Sequence, residues 1–150
     1  MPQRVGIIVY GDKAYVPVNA RFPSGIYAAI DPVYEADLTA ADLGQAVGAA
    51  MRHGHPPLPE PTREEWRQRK DPILTATKAR SWKELARNGA AYSIDWSTSQ
   101  VRLDMTRRDD KGRWQNDPQK VRLLPAGTPL EEILELILAD AAQQLEVLRC

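Results

Sequence analysis

His53 and His55, separated by Gly54, are the chain's only imidazoles, and metal or nucleophilic chemistry would have to begin with them. A zinc site needs four donors, so the pair would have to recruit distant carboxylates or backbone. The one cysteine, Cys150, is the last residue, which excludes an intrachain disulfide and a thiolate cage within one chain. A serine or cysteine nucleophile would need one of the same two histidines as its base, in a segment flanked by prolines. The acidic pairs Glu64/Glu65, Asp109/Asp110 and Glu131/Glu132 are adjacent in sequence. Neighbours on a helix point about 100° apart, so these pairs read as solvated faces and partners of helix dipoles rather than as general acid and base. Glycine-rich phosphate loops, the GxSxG elbow and the HExxH helix do not occur. The expectation is a protein that is not an enzyme and uses no cofactor and no metal.

Binding chemistry is better represented. The stretch 102–122 carries seven basic residues (Arg102, Arg107, Arg108, Lys111, Arg113, Lys120 and Arg122) around Trp114, together with Asp104, Asp109, Asp110 and Asp117. Such mixed signs weaken phosphate affinity but suit a specific protein contact, where opposed charges steer encounter and penalise wrong partners. Trp114 with Arg107, Arg108, Asp109 and Asp110 is the first candidate site, because an aromatic beside arginine is the usual composition of an interface hot spot. Glu60, Glu64, Glu65 and Trp66 form the second, an acidic aromatic patch suited to a basic partner. Trp82 and Trp96 are expected in the core. The alternative is a small nucleic-acid-binding or adaptor module using 102–122. Against it, Lys plus Arg is 20 and Asp plus Glu is 20, so the net charge that drives nonspecific phosphate binding is missing and no direct nucleic-acid contact is expected. The cations are 14 Arg to 6 Lys, which favours bidentate, desolvated pairing.

The elements that must position these residues come from periodicity and caps. With 150 residues, 43% of them apolar, the chain is expected to be one domain, 1–150, with one hydrophobic core. No apolar run approaches the ~18–20 residues of a membrane span, and the apolar stretch after Arg4 is too short for a secretory leader, so a cytoplasmic location is expected. A hairpin is predicted from Arg4 to Tyr10 and Ala14 to Val18, with Pro17 marking an edge strand. A short strand from Gly25 should end at Asp31-Pro32. Thr39 caps a helix that buries Leu43, Ala46, Val47 and Ala50. The prolines of 56–61 make a stiff surface connection, and Thr62 caps a short charged helix ending before Asp71-Pro72. Ser81 caps another, with a left-handed residue expected at Asn88-Gly89. Tyr92, Ile94 and Trp96, then Val101, Leu103 and Met105, alternate as an antiparallel hairpin. A polar loop from Arg107 to Pro118 leads to a third strand, Lys120 to Leu124. Finally Thr128-Pro129 opens a long helix with Leu130, Ile133, Leu134, Ile137, Ala141, Leu145 and Leu148 on one face, broadened by Leu136 and Leu138. The fold class is α+β: a mainly antiparallel sheet packed against a long C-terminal helix and a second helix.

These motifs resemble the immunity proteins of bacterial contact-dependent growth-inhibition systems, the CdiI type. The resemblance rests on Lys78-Ala79-Arg80-Ser81-Trp82-Lys83-Glu84-Leu85-Ala86, the hairpin of Tyr92-Ser93-Ile94-Asp95-Trp96 and Val101-Arg102-Leu103, the strand Val121-Arg122-Leu123-Leu124-Pro125, and the capped final helix. In the first half it rests on Tyr34 and the Leu43-Gly44 pair of the Asp42–Val47 helix. It implies a cytoplasmic, non-enzymatic protein that binds one to one the C-terminal toxin domain, often a nuclease, of a cognate CdiA-type effector. It transfers no interface position residue by residue. The balanced charge departs from the acidity expected of an inhibitor that mimics nucleic acid.

Overall fold

The computed structural model describes residues 3–149, with side chains described through Leu145; Cys150 and the Leu148 side chain lie outside the described residues. Seven strands form one antiparallel sheet: β1 (Gln3–Tyr10), β2 (Lys13–Arg21), β3 (Tyr27–Asp37), β4 (Gly89–Trp96), β5 (Gln100–Arg108), β6 (Trp114–Asn116) and β7 (Arg122–Pro125). Their order is β3-β2-β1-β4-β5-β6, with β7 also paired to β5. The helices are α1 (Ala40–Arg52), α2 (Arg63–Gln68), α3 (Pro72–Thr77), α4 (Trp82–Asn88) and α5 (Leu130–Arg149). The fold is the expected α+β arrangement.

Strand alternation divides the apolar residues between two faces. Val5, Ile7 and Val9 of β1, Tyr92 and Ile94 of β4, and Val101, Leu103 and Met105 of β5 join Leu43 and Val47 of α1 and Ile133, Leu134 and Ile137 of α5 in the main core. Leu136 and Leu138 are partly buried against that same core, so the broad apolar arc of α5 packs on it beyond a single stripe. On the opposite face, Ile8 meets Ile73 of α3, Ala79 and Leu85 of α4 in a smaller cluster that also takes in Trp114. These short helices cover only that end of the face.

Several local expectations are corrected. β3 does not stop at Asp31-Pro32 but runs through it to Asp37. The register passes from Pro17↔Val33 to Val18↔Ile30, which leaves Asp31 and Pro32 out of the pairing, so neither has to serve the ladder. Pro17 does not mark an edge, because β2 lies between β1 and β3. The proline is tolerated because pairing to β1 ends at Tyr15 and the β3 register slips beside it. Asp71-Pro72 opens α3 instead of only closing α2: the Asp71 carboxylate accepts from the N–H groups of Ile73 and Leu74, with proline at the start. α5 begins at Leu130 rather than at the Thr128 cap, and the Thr128 hydroxyl donates to Pro125 O across a turn, 2.7 Å.

Gly89 is extended, with φ −144°, and is not the left-handed cap expected there. Its glycine is required by space, because an added Cβ would collide with the carbonyl oxygens of Val9 and Leu85. Gly89→Ala is expected to lower stability by about 3 kcal/mol or more, through a clash with two backbone atoms that cannot rotate away. Gly48→Ala, inside α1 with open space around it, is expected to gain about 0.5–1 kcal/mol. Urea unfolding of both variants checks the pair.

Candidate functional site

Asp109 organises the loop between β5 and β6. Its carboxylate accepts from the backbone N–H groups of Lys111 and Arg113, each at 2.9 Å, and from Arg113 Nε at 3.2 Å. Gly112 supplies the positive φ, +77°, that this tight loop requires. The Arg113 amide, assisted by that of Lys111 and the Arg113 charge, holds the Asp109 carboxyl below its ordinary pKa. Arg108 points inward: its guanidinium donates to the carbonyls of Ala86 and Gly89, and burial pulls its pKa down. Trp114 Nε1 donates to the same Gly89 oxygen at 3.3 Å. Of the first candidate group, therefore, Arg108 and Asp109 serve internal contacts, Trp114 is half-buried, and Arg107 and Asp110 stand in solvent.

Trp82 is the residue that sequence reasoning misplaced. It is 44% exposed rather than in the core, and its ring meets Trp114 edge to face, 6.3 Å between centroids. The signal was its position directly after the Ser81 cap: the buried register of α4 is Leu85 and Ala86, and the first helical residue falls outside it. Trp82, Lys83, Ala86, Lys111, Arg113 and Trp114 line a cleft of about 460 Å³. A second opening of about 300 Å³ is lined by Arg107, Arg108, Lys120, Asp140, Gln143 and Gln144.

Beneath that opening lies a polar network that sequence reasoning did not find, because its members come from β4, the β6–β7 segment and α5. Asp140 accepts from Tyr92 Oη at 2.7 Å, Lys120 Nζ at 2.8 Å and Gln144 Nε2 at 2.6 Å. Burial pushes the Asp140 carboxyl upward, but the three donors outweigh it and its pKa falls below the ordinary value. Burial, then the hydrogen bond to Asp140, drives the Tyr92 phenol far up. Gln144 also donates to Thr106 O, 3.1 Å, where β5 leaves β4.

The second candidate group lies elsewhere. Glu65 completes the Thr62 capping box, Glu60 accepts from Ser24 N–H at 2.8 Å, and Glu64 is exposed on α2. Trp66 packs edge to face on Phe22, with the Arg69 guanidinium 5.1 Å from its ring. Glu65, Trp66, Phe22 and Arg69 border a groove of about 500 Å³ with Ile30 and Leu58, whereas Glu60 and Glu64 do not line it. The two candidate groups share no cleft.

Both histidines are hydrogen-bonded within the fold. His55 Nε2 accepts from Arg4 N–H at 3.1 Å while Nδ1 lies 3.0 Å from Asn19 O, which assigns a neutral ring with its proton on Nδ1. His53 Nε2 lies 2.7 Å from Tyr34 Oη. Among the described residues, no three His, Cys, Asp or Glu are grouped to hold a metal ion, and no helix is long and apolar enough to cross a membrane.

No protein-family model matches the chain, and no curated protein matches it in sequence. Solved structures do. A protein of unknown function from Neisseria meningitidis superposes with TM-score 0.65 at 15% identity, covering 94% of this chain and 96% of that one. A chain of the CdiA-CT/CdiI toxin and immunity complex from Yersinia pseudotuberculosis superposes with TM-score 0.65 at 13% identity, covering 96% and 97%. The fold is shared end to end with both.

A carboxyl held more acidic in the folded chain than in the unfolded one stabilises the fold above its unfolded pKa, and that contribution is lost as pH falls through the folded value. Asp140→Asn is expected to cost about 1.5–3 kcal/mol at neutral pH, by weakening hydrogen bonds to a charged acceptor. It should also flatten the loss of stability below about pH 4. Urea midpoints recorded across pH for both proteins test this.

Proposed function

We propose that this chain is an immunity protein that binds and neutralises the C-terminal toxin domain of a CdiA-type contact-dependent growth-inhibition effector. The observation that carries the proposal is the end-to-end overlap of its fold with a chain of a toxin and immunity complex. An insertion or missing layer would have left part of either chain unmatched. The internal chemistry agrees with binding rather than turnover. Both histidines are engaged by neighbouring groups, and the Asp140 carboxylate already takes three donors from the fold itself.

In this role the protein acts in the cytoplasm of the producing bacterium, binds its cognate toxin one to one, and blocks a nuclease. Tight binding is required physically, since a single free toxin molecule turns over many substrates. Nanomolar affinity corresponds to about −12 kcal/mol.

Isothermal titration against the C-terminal domain of the large secreted protein encoded beside this chain is the direct test. The expected result is nanomolar binding at a ratio of one, no binding to a noncognate toxin domain, and arrest of nucleic-acid cleavage when equimolar protein is added. Absence of binding to the cognate domain overturns the proposal; binding with no effect on cleavage overturns the nuclease assignment.

A further inference from the structure

The Trp82–Trp114 cleft combines an exposed aromatic ring, free volume and charge of one sign. Of its six lining residues, Lys83, Lys111 and Arg113 are cationic and none is anionic, in a chain whose cations and anions balance at 20 each. Asp109 offsets part of this charge through Arg113, while Lys83 and Lys111 extend from opposite walls, one on α4 and one on the loop. The second opening, which shares no lining residue with the cleft, holds Arg107 and Lys120, and its one lining carboxylate, Asp140, is held by Lys120, Tyr92 and Gln144. Arg108 lines the second opening and donates to the carbonyl of Ala86, a residue that lines the first. Exposed Asp110 precedes Lys111 in the same loop without lining the cleft, and other exposed acids sit farther away, with Glu64 and Glu65 on α2 and Glu131 and Glu132 in the first turn of α5.

We infer that this cleft, in the immunity role proposed above, receives an acidic segment of the toxin domain. Its carboxylates pair with Lys83 and Lys111 around an apolar side chain that packs on Trp82. An apolar group seated on the ring excludes water from the surrounding ion pairs, which is the arrangement that makes a central aromatic a hot spot. Charge complementarity at the rim then supplies selectivity among toxins.

Nucleic acid fits the same surface less well. Proteins held by phosphate contacts commonly make roughly 6–10 of them, more than the three cations here, and the chain has no net positive field to assist. The two rings meet at 77° and Trp114 is half-buried, so only Trp82 offers an open face, where successive bases need successive platforms.

The test titrates the full chain with the cognate toxin domain, comparing wild type with Lys83→Glu/Lys111→Glu, Lys83→Gln/Lys111→Gln, Trp82→Ala and Arg63→Glu, each first checked for folding by circular dichroism and thermal midpoint. Among the described residues neither lysine side chain takes part in an ion pair, and Arg63 on α2 makes the same change of sign away from the cleft. Charge reversal is expected to weaken binding by about 100-fold or more, the Gln pair by roughly 10-fold and Trp82→Ala by at least about 30-fold, with Arg63→Glu within about threefold of wild type. Tight wild-type binding left unchanged by the cleft variants overturns the inference while the immunity role stands. So does a loss confined to Arg63→Glu, which places the contact on α2. A wild-type chain that ignores the toxin overturns both. If it instead binds a single-stranded oligonucleotide with steep salt dependence, abolished by Lys83→Glu/Lys111→Glu, the cleft belongs to nucleic acid.

Discussion

The passage from α4 to β4 without a connecting residue is the constraint on which the rest of this surface depends. Asn88 ends the helix and Gly89 begins the strand, so the chain turns while packed against β1, at Val9 O. A helix that stops so abruptly leaves its last carbonyls without helical donors. Arg108 covers Ala86 O and Gly89 O, Trp114 Nε1 adds a donor to Gly89 O, and the Asn88 amide reaches back to Glu84 O at 3.3 Å. Through those bonds the β5–β6 loop is pinned to α4. The cleft exists because the loop and the first turn of α4, held together at their base, part at the surface, with Trp82 on one side and Lys111 and Arg113 on the other.

Charge is balanced locally as well as overall, and this sets which surfaces are left reactive. On the part of the sheet that α3 and α4 do not reach, register aligns Arg4 with Asp95 and Asp95 with Arg102, giving alternating signs across three strands. Arg102 also grips buried Asp104 through Nε, 3.0 Å, and through a second nitrogen. Burial raises the Asp95 carboxyl pKa while Arg4 and Arg102 draw it down. Such exposed pairs add little stability, but directly opposed unlike charges do define the strand register. Lys83 and Lys111 have no counterpart of this kind among the described ion pairs, which is what distinguishes their cleft.

Elements governed by local chemistry were legible in the sequence. The Thr39, Thr62 and Ser81 caps each accept the backbone N–H that their spacing predicts, and the alternation of Tyr92–Trp96 against Val101–Met105 is the observed hairpin. What escaped depends on contacts distant in sequence. β3 passes its proline only because β2 can pair with residues on both sides of it, and β6, three residues long, exists by pairing with the end of β5. Asp71-Pro72 was ambiguous on its own, because one dipeptide both terminates a helix and starts one. The Asp140 network draws Lys120 and Tyr92 from 20 and 48 positions away, too far for any motif to connect.

The same remoteness explains why composition could not tell which side chains of the β5–β6 loop turn inward, as Arg108 does. An arginine beside a tryptophan is suited to an interface because it brings several donors and a broad ring with little entropy to lose, and those properties equally suit an internal clamp. Which use prevails depends on whether unsatisfied carbonyls lie within reach, and the end of α4 supplies them to Arg108. Lysines lack the planar fork for such a site, and Lys83 and Lys111 stay at the surface with their charge available. In a chain with 14 arginines and 6 lysines, the arginine that first drew attention to the loop serves the fold, while these two lysines take part in none of the described ion pairs.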